Sequence, residues 1–414
     1  MQNLDTATAA SGLDVHANDL GPLAWVLDEL RKSLDSATKA LRRYVRDAEL
    51  ARGSDLAAVD SAQLRISRQQ LHQAVGALDM VGFTGPAIVL RAMENAVQKF
   101  VNRPELCTEA AAIKIERASF ALTGFLETVL SGKSQTPVAL FVQYAEVQDI
   151  AGATRVHPAD LWPYPWRWIA VSDTGVALMP LDAATRGQFD KSALQVIKTL
   201  DAASSNALAD ICAGIAQQSS DTPEGRQFTI FWRIAAGFFQ ALGSGSLVGD
   251  VYVKRTVSRI LIQLAVHIKG DMAVSDRLAQ DLLFFCAQAQ PQGMAPVLGE
   301  VRMAYGLAAY PPIDYSKTLY GQFDPVLLVQ ARKRITSVKE AWSGLAAGDT
   351  GKVKAVQDQF SLIVDSITKL LPTGQALSKA FTHVAEVVMA GSSSTTRMVG
   401  DSDRGTMCCC PDIV

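Results

Sequence analysis

The sequence predicts an all-α protein, an N-terminal antiparallel helical bundle followed by a larger helical domain. Three observations predict it. Apolar residues recur at three- and four-residue spacing over most of the chain. Short Gly-, Pro- and Ser-containing segments punctuate these runs, which argues for antiparallel neighbours. The chain has 414 residues, 49% of them hydrophobic and 19% charged, an ordinary globular composition long enough to bury a sizeable core.

The first helix carries Leu23, Val26, Leu27, Leu30, Leu34, Ala37, Leu41, Tyr44 and Val45 as its stripe. Asp19 is a capping candidate, and Pro22 suits a first turn. Its basic residues Arg31, Lys32, Lys39, Arg42, Arg43 and Arg46 are interleaved with Asp28, Glu29, Asp35 and Asp47. That pattern reads as a solvated helix face rather than a nucleic-acid surface. The second helix is expected over about Leu56–Val81, with Leu64, Leu71, Val75 and Leu78 in the core. Gly82 and the turn Phe83-Thr84-Gly85-Pro86 end it. A third follows from Pro86, with Val89, Leu90, Met93, Ala96, Val97 and Phe100 inward. A fourth runs over about Thr108–Leu130, with Ile115, Leu122, Phe125 and Leu126 inward. Ser131–Pro137 breaks the pattern, and one more helix is expected over about Val138–Gly152.

Next comes the least regular segment. His157–Trp168 holds three prolines and four aromatics in twelve residues, so it is not helical throughout. Such a cluster suits a base-stacking platform or a peptide groove. An aromatic plug fixing one domain on the next is the favoured reading, because large aromatic side chains usually end up packed. Helices are then expected over Ser192–Gln217, Pro223–Leu242, Leu247–Ile268, Ser275–Ala289, Pro296–Leu307, Pro325–Ala346, Gly351–Leu371 and Gln375–Met389. The expected organisation is a disordered N-terminus over 1–19, the bundle over 20–152, the larger helical domain over 153–390, and a disordered or aberrant tail over 391–414. That tail contains Cys408-Cys409-Cys410.

Composition narrows the function classes. The formal net charge of −2 gives no global field to attract nucleic acid or a membrane surface. The five histidines, at 16, 72, 157, 267 and 383, show no ligand spacing, so no metal site is expected. Cys107, Cys212 and Cys286 read as free thiols of a reducing compartment, the last two buried. The most apolar run, Phe228–Leu242, contains Arg233 and is too short to span a bilayer. The N-terminal residues lack the apolar stretch of a signal peptide. A cytoplasmic protein without membrane insertion is expected. Gly243-Ser244-Gly245-Ser246 joins two helical patterns and reads as a linker rather than a phosphate loop. There is no Gly-x-Ser-x-Gly elbow and no recognisable ATP site, so no cofactor is expected.

One stretch carries candidate chemistry. Leu71-His72-Gln73-Ala74-Val75-Gly76 resembles the His-x-x-Lys-Gly signature that histidine-phosphotransfer (HPt) domains carry on a helix. A phosphoacceptor imidazole must stand exposed with a neutral nitrogen free to attack. A cation at i+3 would steady the phosphoryl charge, and a glycine at i+4 lets a partner's active site approach. His72 and Gly76 meet two of these demands; Val75 stands where the lysine would be. Arg68, four residues before His72, and Arg65, seven before, are substitute cations, and Asp79 works against them. The rival reading is an ordinary polar residue on an amphipathic helix. His267-Ile268-Lys269-Gly270 is one residue short of the signature and reads as a helix C-terminus.

Further residues carry a wider resemblance. Trp25-Val26-Leu27-Asp28-Glu29-Leu30 and the stretch Leu71–Val81 resemble the N-terminus of the large chemotaxis-type hybrid kinases of type IV pilus systems, the ChpA/PilL class. Arg277–Phe285, Phe323-Asp324-Pro325 and Asp358-Gln359-Phe360-Ser361 resemble the related scaffold FimL. The resemblance implies an HPt-like bundle followed by a domain like the second domain of FimL. It implies a cytoplasmic scaffold, or a kinase N-terminal fragment, in a chemosensory pathway controlling twitching motility. The partners it implies are response regulators, kinases or polar-localisation proteins. The alternative it leaves open is a working phosphotransfer protein with His72 as acceptor, supported by Gly76 and Arg68. No kinase core lies in these 414 residues, so whether the chain is an enzyme stays open.

Overall fold

Pro22 in the first turn and an unbroken apolar stripe set α1 (Gly21–Leu50). Its buried residues, from Leu23 through Leu34 and Leu41 to Val45, keep the expected spacing. The computed structural model describes residues 20–51, 61–173, 175–218, 222–290, 293–347, 353–370 and 374–390. Asp19, His16 and the cysteine tail lie outside the described residues. Four helices follow: α2 (Ala62–Met80), α3 (Thr84–Asn102), α4 (Glu109–Leu130) and α5 (Phe141–Ala151). Thr108 caps α4 by accepting from the Ala111 N–H at 3.2 Å. Gly152, with φ of 72°, closes α5 in the left-handed conformation that glycine adopts without a Cβ penalty. Leu71, Leu78, Phe100 and Phe125 are all buried, as the periodicity predicts.

The second half adds α6 (Ala183–Thr199), α7 (Ala202–Ile215), α8 (Pro223–Gly243), α9 (Val251–Ile268), α10 (Asp276–Gln288) and α11 (Pro296–Ala304). After them come α12 (Pro325–Ala346), α13 (Val353–Leu370) and α14 (Gln375–Ala390). No strand occurs among the described residues, and the fold is all-α. The single helix expected over Ser192–Gln217 is two. Leu200 sits at φ 54°, and the Asp201 carboxylate accepts from the Ser204 N–H at 2.7 Å, starting a new helix. Asp182, Thr222, Asp250 and Ser275 cap their helices in the same way.

The helices gather into two compact units, interleaved along the sequence. One holds α1, α4 and α12–α14. Within it α1 packs on α4, and Tyr320 meets Phe125 edge-on at 5.8 Å. Its later helices share a core of Val338, Leu345, Val356, Phe360 and Ile363, against which Phe381 packs. Four basic residues of α1, Arg31, Lys32, Lys39 and Arg42, are ion-paired, Arg42 with Glu116 at 2.5 Å and Arg31 with Glu127 at 2.6 Å. A solvated, charge-compensated face is what the interleaved charges predict.

The other unit holds α2, α3, α5 and α6–α11. Its centre is α8, whose Phe228, Phe231, Trp232, Phe238 and Phe239 are fully enclosed. Between Phe228 and Leu242 all residues except Arg233 and Gln240 are buried, and α7, α10 and α11 surround the helix. The proline-aromatic segment makes a 3₁₀ turn over Pro158–Leu161 and is otherwise irregular, and the ring contacts of its tryptophans lie within this unit. Trp162, Tyr164, Trp166 and Trp168 are half-buried, while Pro163, Pro165 and Arg167 between them are exposed. Trp166 stacks on Tyr305, Trp162 meets Tyr310 edge-on at 5.5 Å, and the Trp168 indole N–H donates to Asp276 at 2.9 Å.

Candidate functional site

α2 presents His72 because its apolar positions face the other way. Leu64, Ser67, Leu71, Ala74, Val75 and Leu78 are buried, which leaves Arg65, Arg68, His72, Gly76 and Asp79 on the exposed side. The His72 side chain is 71% exposed, so a partner could reach it. A Cβ built on Gly76 would meet nothing within 4 Å, so the surface beside His72 is open. The structure therefore places His72, Gly76 and Arg68 on one face of one helix. Val75 is 6% exposed and belongs to the core side, which explains an apolar residue there.

The residue that periodicity did not single out is Glu94, on α3. Its carboxylate lies 3.0 Å from His72 Nδ1 and 3.9 Å from Arg68 Nε. A carboxylate accepting from Nδ1–H fixes the tautomer in which Nε2 keeps its lone pair. Glu94 also draws Arg68 to itself, and Arg91 pairs with Asp79 at 2.5 Å. The face thus holds a held imidazole with an acid beside it, and its nearest cation shared with that acid.

A second polar cluster lies in the same unit. Asp281, on α10, is completely buried among Leu282, Leu283, Phe284 and Phe285. Arg155 reaches it at 2.5 Å, Arg259 at 3.1 Å, and His157 Nδ1 lies 3.3 Å away. Arg155 also holds Asp160 at 2.5 Å, and Arg277 pairs with Asp160 too. Burial pushes the Asp281 carboxyl above the usual carboxylate range, against the pull of Arg155, Arg277 and Arg259. Burial, with Arg155, Arg259 and Arg277 around it, holds His157 neutral well below the ordinary histidine value. In the sequence the one available signal for this cluster was an Asp inside an apolar helical run. Its partners come from segments more than a hundred residues earlier and one helix before, which local spacing does not connect.

The three cysteines among the described residues, Cys107, Cys212 and Cys286, are buried thiols rather than activated nucleophiles. Burial pushes the Cys107 and Cys286 thiols up to about 12, and Cys212 well above its ordinary value. Among the described residues no cluster of His, Cys, Asp and Glu could hold a metal ion, and no helix is long and apolar enough to cross a membrane.

No curated protein and no solved structure matches the chain. A family model does match, described as the FimL scaffold protein second domain, over residues 175–318. The match takes in α6 through α11, including the enclosed α8 and the Asp281 helix. Over residues 175–318, the chain is similar to the second domain of the FimL scaffold protein.

Proposed function

We propose that the chain is a cytoplasmic signalling scaffold in a type IV pilus chemosensory pathway controlling twitching motility. It works by binding proteins through exposed helical faces. The observation that carries this reading is the similarity of residues 175–318 to a scaffold protein's second domain. The partners expected are response regulators, kinases and polar-localisation proteins of that system. The exposed side of α2 is one such face, with His72 as a recognition residue rather than a phosphoacceptor. Three features favour this: no lysine stands at 75, Glu94 adds negative charge beside His72, and Arg68 is drawn toward Glu94. An incoming phosphoryl group would find a carboxylate against the ring and no lysine one turn on.

The alternative is a working phosphotransfer protein, with His72 as acceptor and Gly76 and Arg68 in support. It rests on one specific observation: the Glu94 contact on Nδ1 leaves Nε2 of an exposed ring as the attacking nitrogen. Affinity capture with the tagged chain tests the leading reading, with enrichment of chemosensory kinase or response-regulator proteins expected. Incubation with a labelled, phosphorylated kinase or receiver of the pathway separates the two. Rapid labelling that disappears in His72→Gln rejects the scaffold-only reading; no labelling favours it.

A further inference from the structure

A cavity of about 370 Å³ opens where the end of α5, the 153–157 loop and the early turns of α9 meet, all within one compact unit. Its charge is one-sided. Arg155, Arg255 and Arg259 line it against one carboxylate, the exposed Asp149. Arg155 and Arg259 are tied from behind to the buried Asp281, so their positions are held before any ligand arrives. Arg255 has no carboxylate partner among the described residues, and its guanidinium lies over the Tyr252 ring, 5.9 Å from the centroid. Tyr252 itself forms part of the wall.

Two donors at this cavity are left over. Arg155 Nε and His157 Nε2 are buried and make no hydrogen bond. The Ala159 N–H donates to His157 Nδ1 at 3.1 Å, so the hydrogen of the neutral ring sits on Nε2. The His157 side chain is only 4% exposed, so bulk water does not satisfy it. Buried polar groups in folded proteins nearly always have partners, and orphaned donors call for an explanation. Here both belong to side chains that line a cationic cavity, and an anionic acceptor would supply what they lack.

We propose that this cavity binds a phosphate dianion, free or as the monoester of a small molecule. Counting Arg277 and the carboxylates that face or pair with these arginines, Asp149, Asp160 and Asp281, one positive charge is left over, and Arg255 is the arginine with no carboxylate of its own. Guanidinium forks match phosphate oxygens in pairs, and arginine is the side chain best suited to that geometry. The volume lies at the small end of the range of about 300–1,000 Å³ for ligand sites, enough for a phosphate with a modest substituent on Tyr252. The proposal does not depend on the scaffold reading or on His72.

Titration calorimetry on the full chain at constant ionic strength tests it. Inorganic phosphate, phenyl phosphate and malonate are the probes, with chloride as the control. One-to-one phosphate binding above the chloride control is expected. Tighter phenyl phosphate binding assigns the site to an organic monoester, and equal binding assigns it to the free ion. Arg255→Ala should weaken binding at least tenfold while leaving the ligand-free melting temperature unchanged, since Arg255 is exposed and holds no ion pair. Arg255→Gln, which keeps part of the stem over Tyr252, should do the same. No binding beyond chloride, tighter binding of malonate, or unchanged affinity in both Arg255 variants would overturn the proposal.

Discussion

At position 75 the chain carries a valine where the phosphotransfer signature has a lysine. Val75 is buried, so Val75→Lys does not simply restore a signature. It should cost about 1.5 kcal/mol or more in urea denaturation, the lower end because a lysine stem can reach toward solvent. His72→Gln, on the exposed side of the same helix, should stay within about 0.5 kcal/mol of the parent. The buried histidines give a second residue-level expectation. Burial holds both His157 and His267 below the ordinary value of 6.5. The folded chain then binds fewer protons than the unfolded one once the pH falls below about 6.5. The stability these two residues contribute is present above that value and is lost on acidification, as the pH falls from there through each lowered folded-state value. His157→Gln should remove one proton from that slope. Asp281 acts in the opposite sense, lower down, because its raised carboxyl takes its proton earlier when folded.

Helices and their ends were largely legible, because caps and apolar spacing are local. The starts of α8 at Pro223, α10 after Ser275 and α12 at Pro325 fall within a residue or so of where the sequence places them. The α6–α7 break was not legible, because continuous apolar spacing hid Asp201, whose capping role depends on Leu200 turning left-handed. His72 and Gly76 were readable from spacing, and so was the inward side of Val75. Glu94 was not, because it belongs to the next helix and only packing brings it to His72. The Asp281 cluster failed for the same reason at longer range. Close packing between elements also rests on a glycine that no motif marks. A Cβ on Gly214 of α7 would sit 2.8 Å from the Ala177 carbonyl oxygen and 2.8 Å from Met179 Cβ. That approach lets the Met179 N–H donate to the Gly214 carbonyl at 3.0 Å. Gly214→Ala should therefore destabilise the chain by about 1–3 kcal/mol, read as a lower denaturation midpoint with an unchanged m-value. Gly76→Ala, in open space, should not.

Over the whole molecule, the scaffold reading joins one family-matching segment to an exposed helix face. The described residues form all-α units rich in enclosed aromatic side chains, with thiols held protonated and no cluster of metal-ligating groups. On the scaffold reading, what the chain offers a pathway is surface. In that account His72 is one contact among several, so losing its imidazole removes no chemical step. Complementation of twitching motility tests this most directly. A strain of the source organism lacking the gene would receive either the parent sequence or His72→Gln at matched protein level. The account predicts that the deletion impairs twitching and that both forms restore it equally. Restoration by the parent alone, with His72→Gln folded and present at the same level, would contradict it and show that the imidazole itself is required.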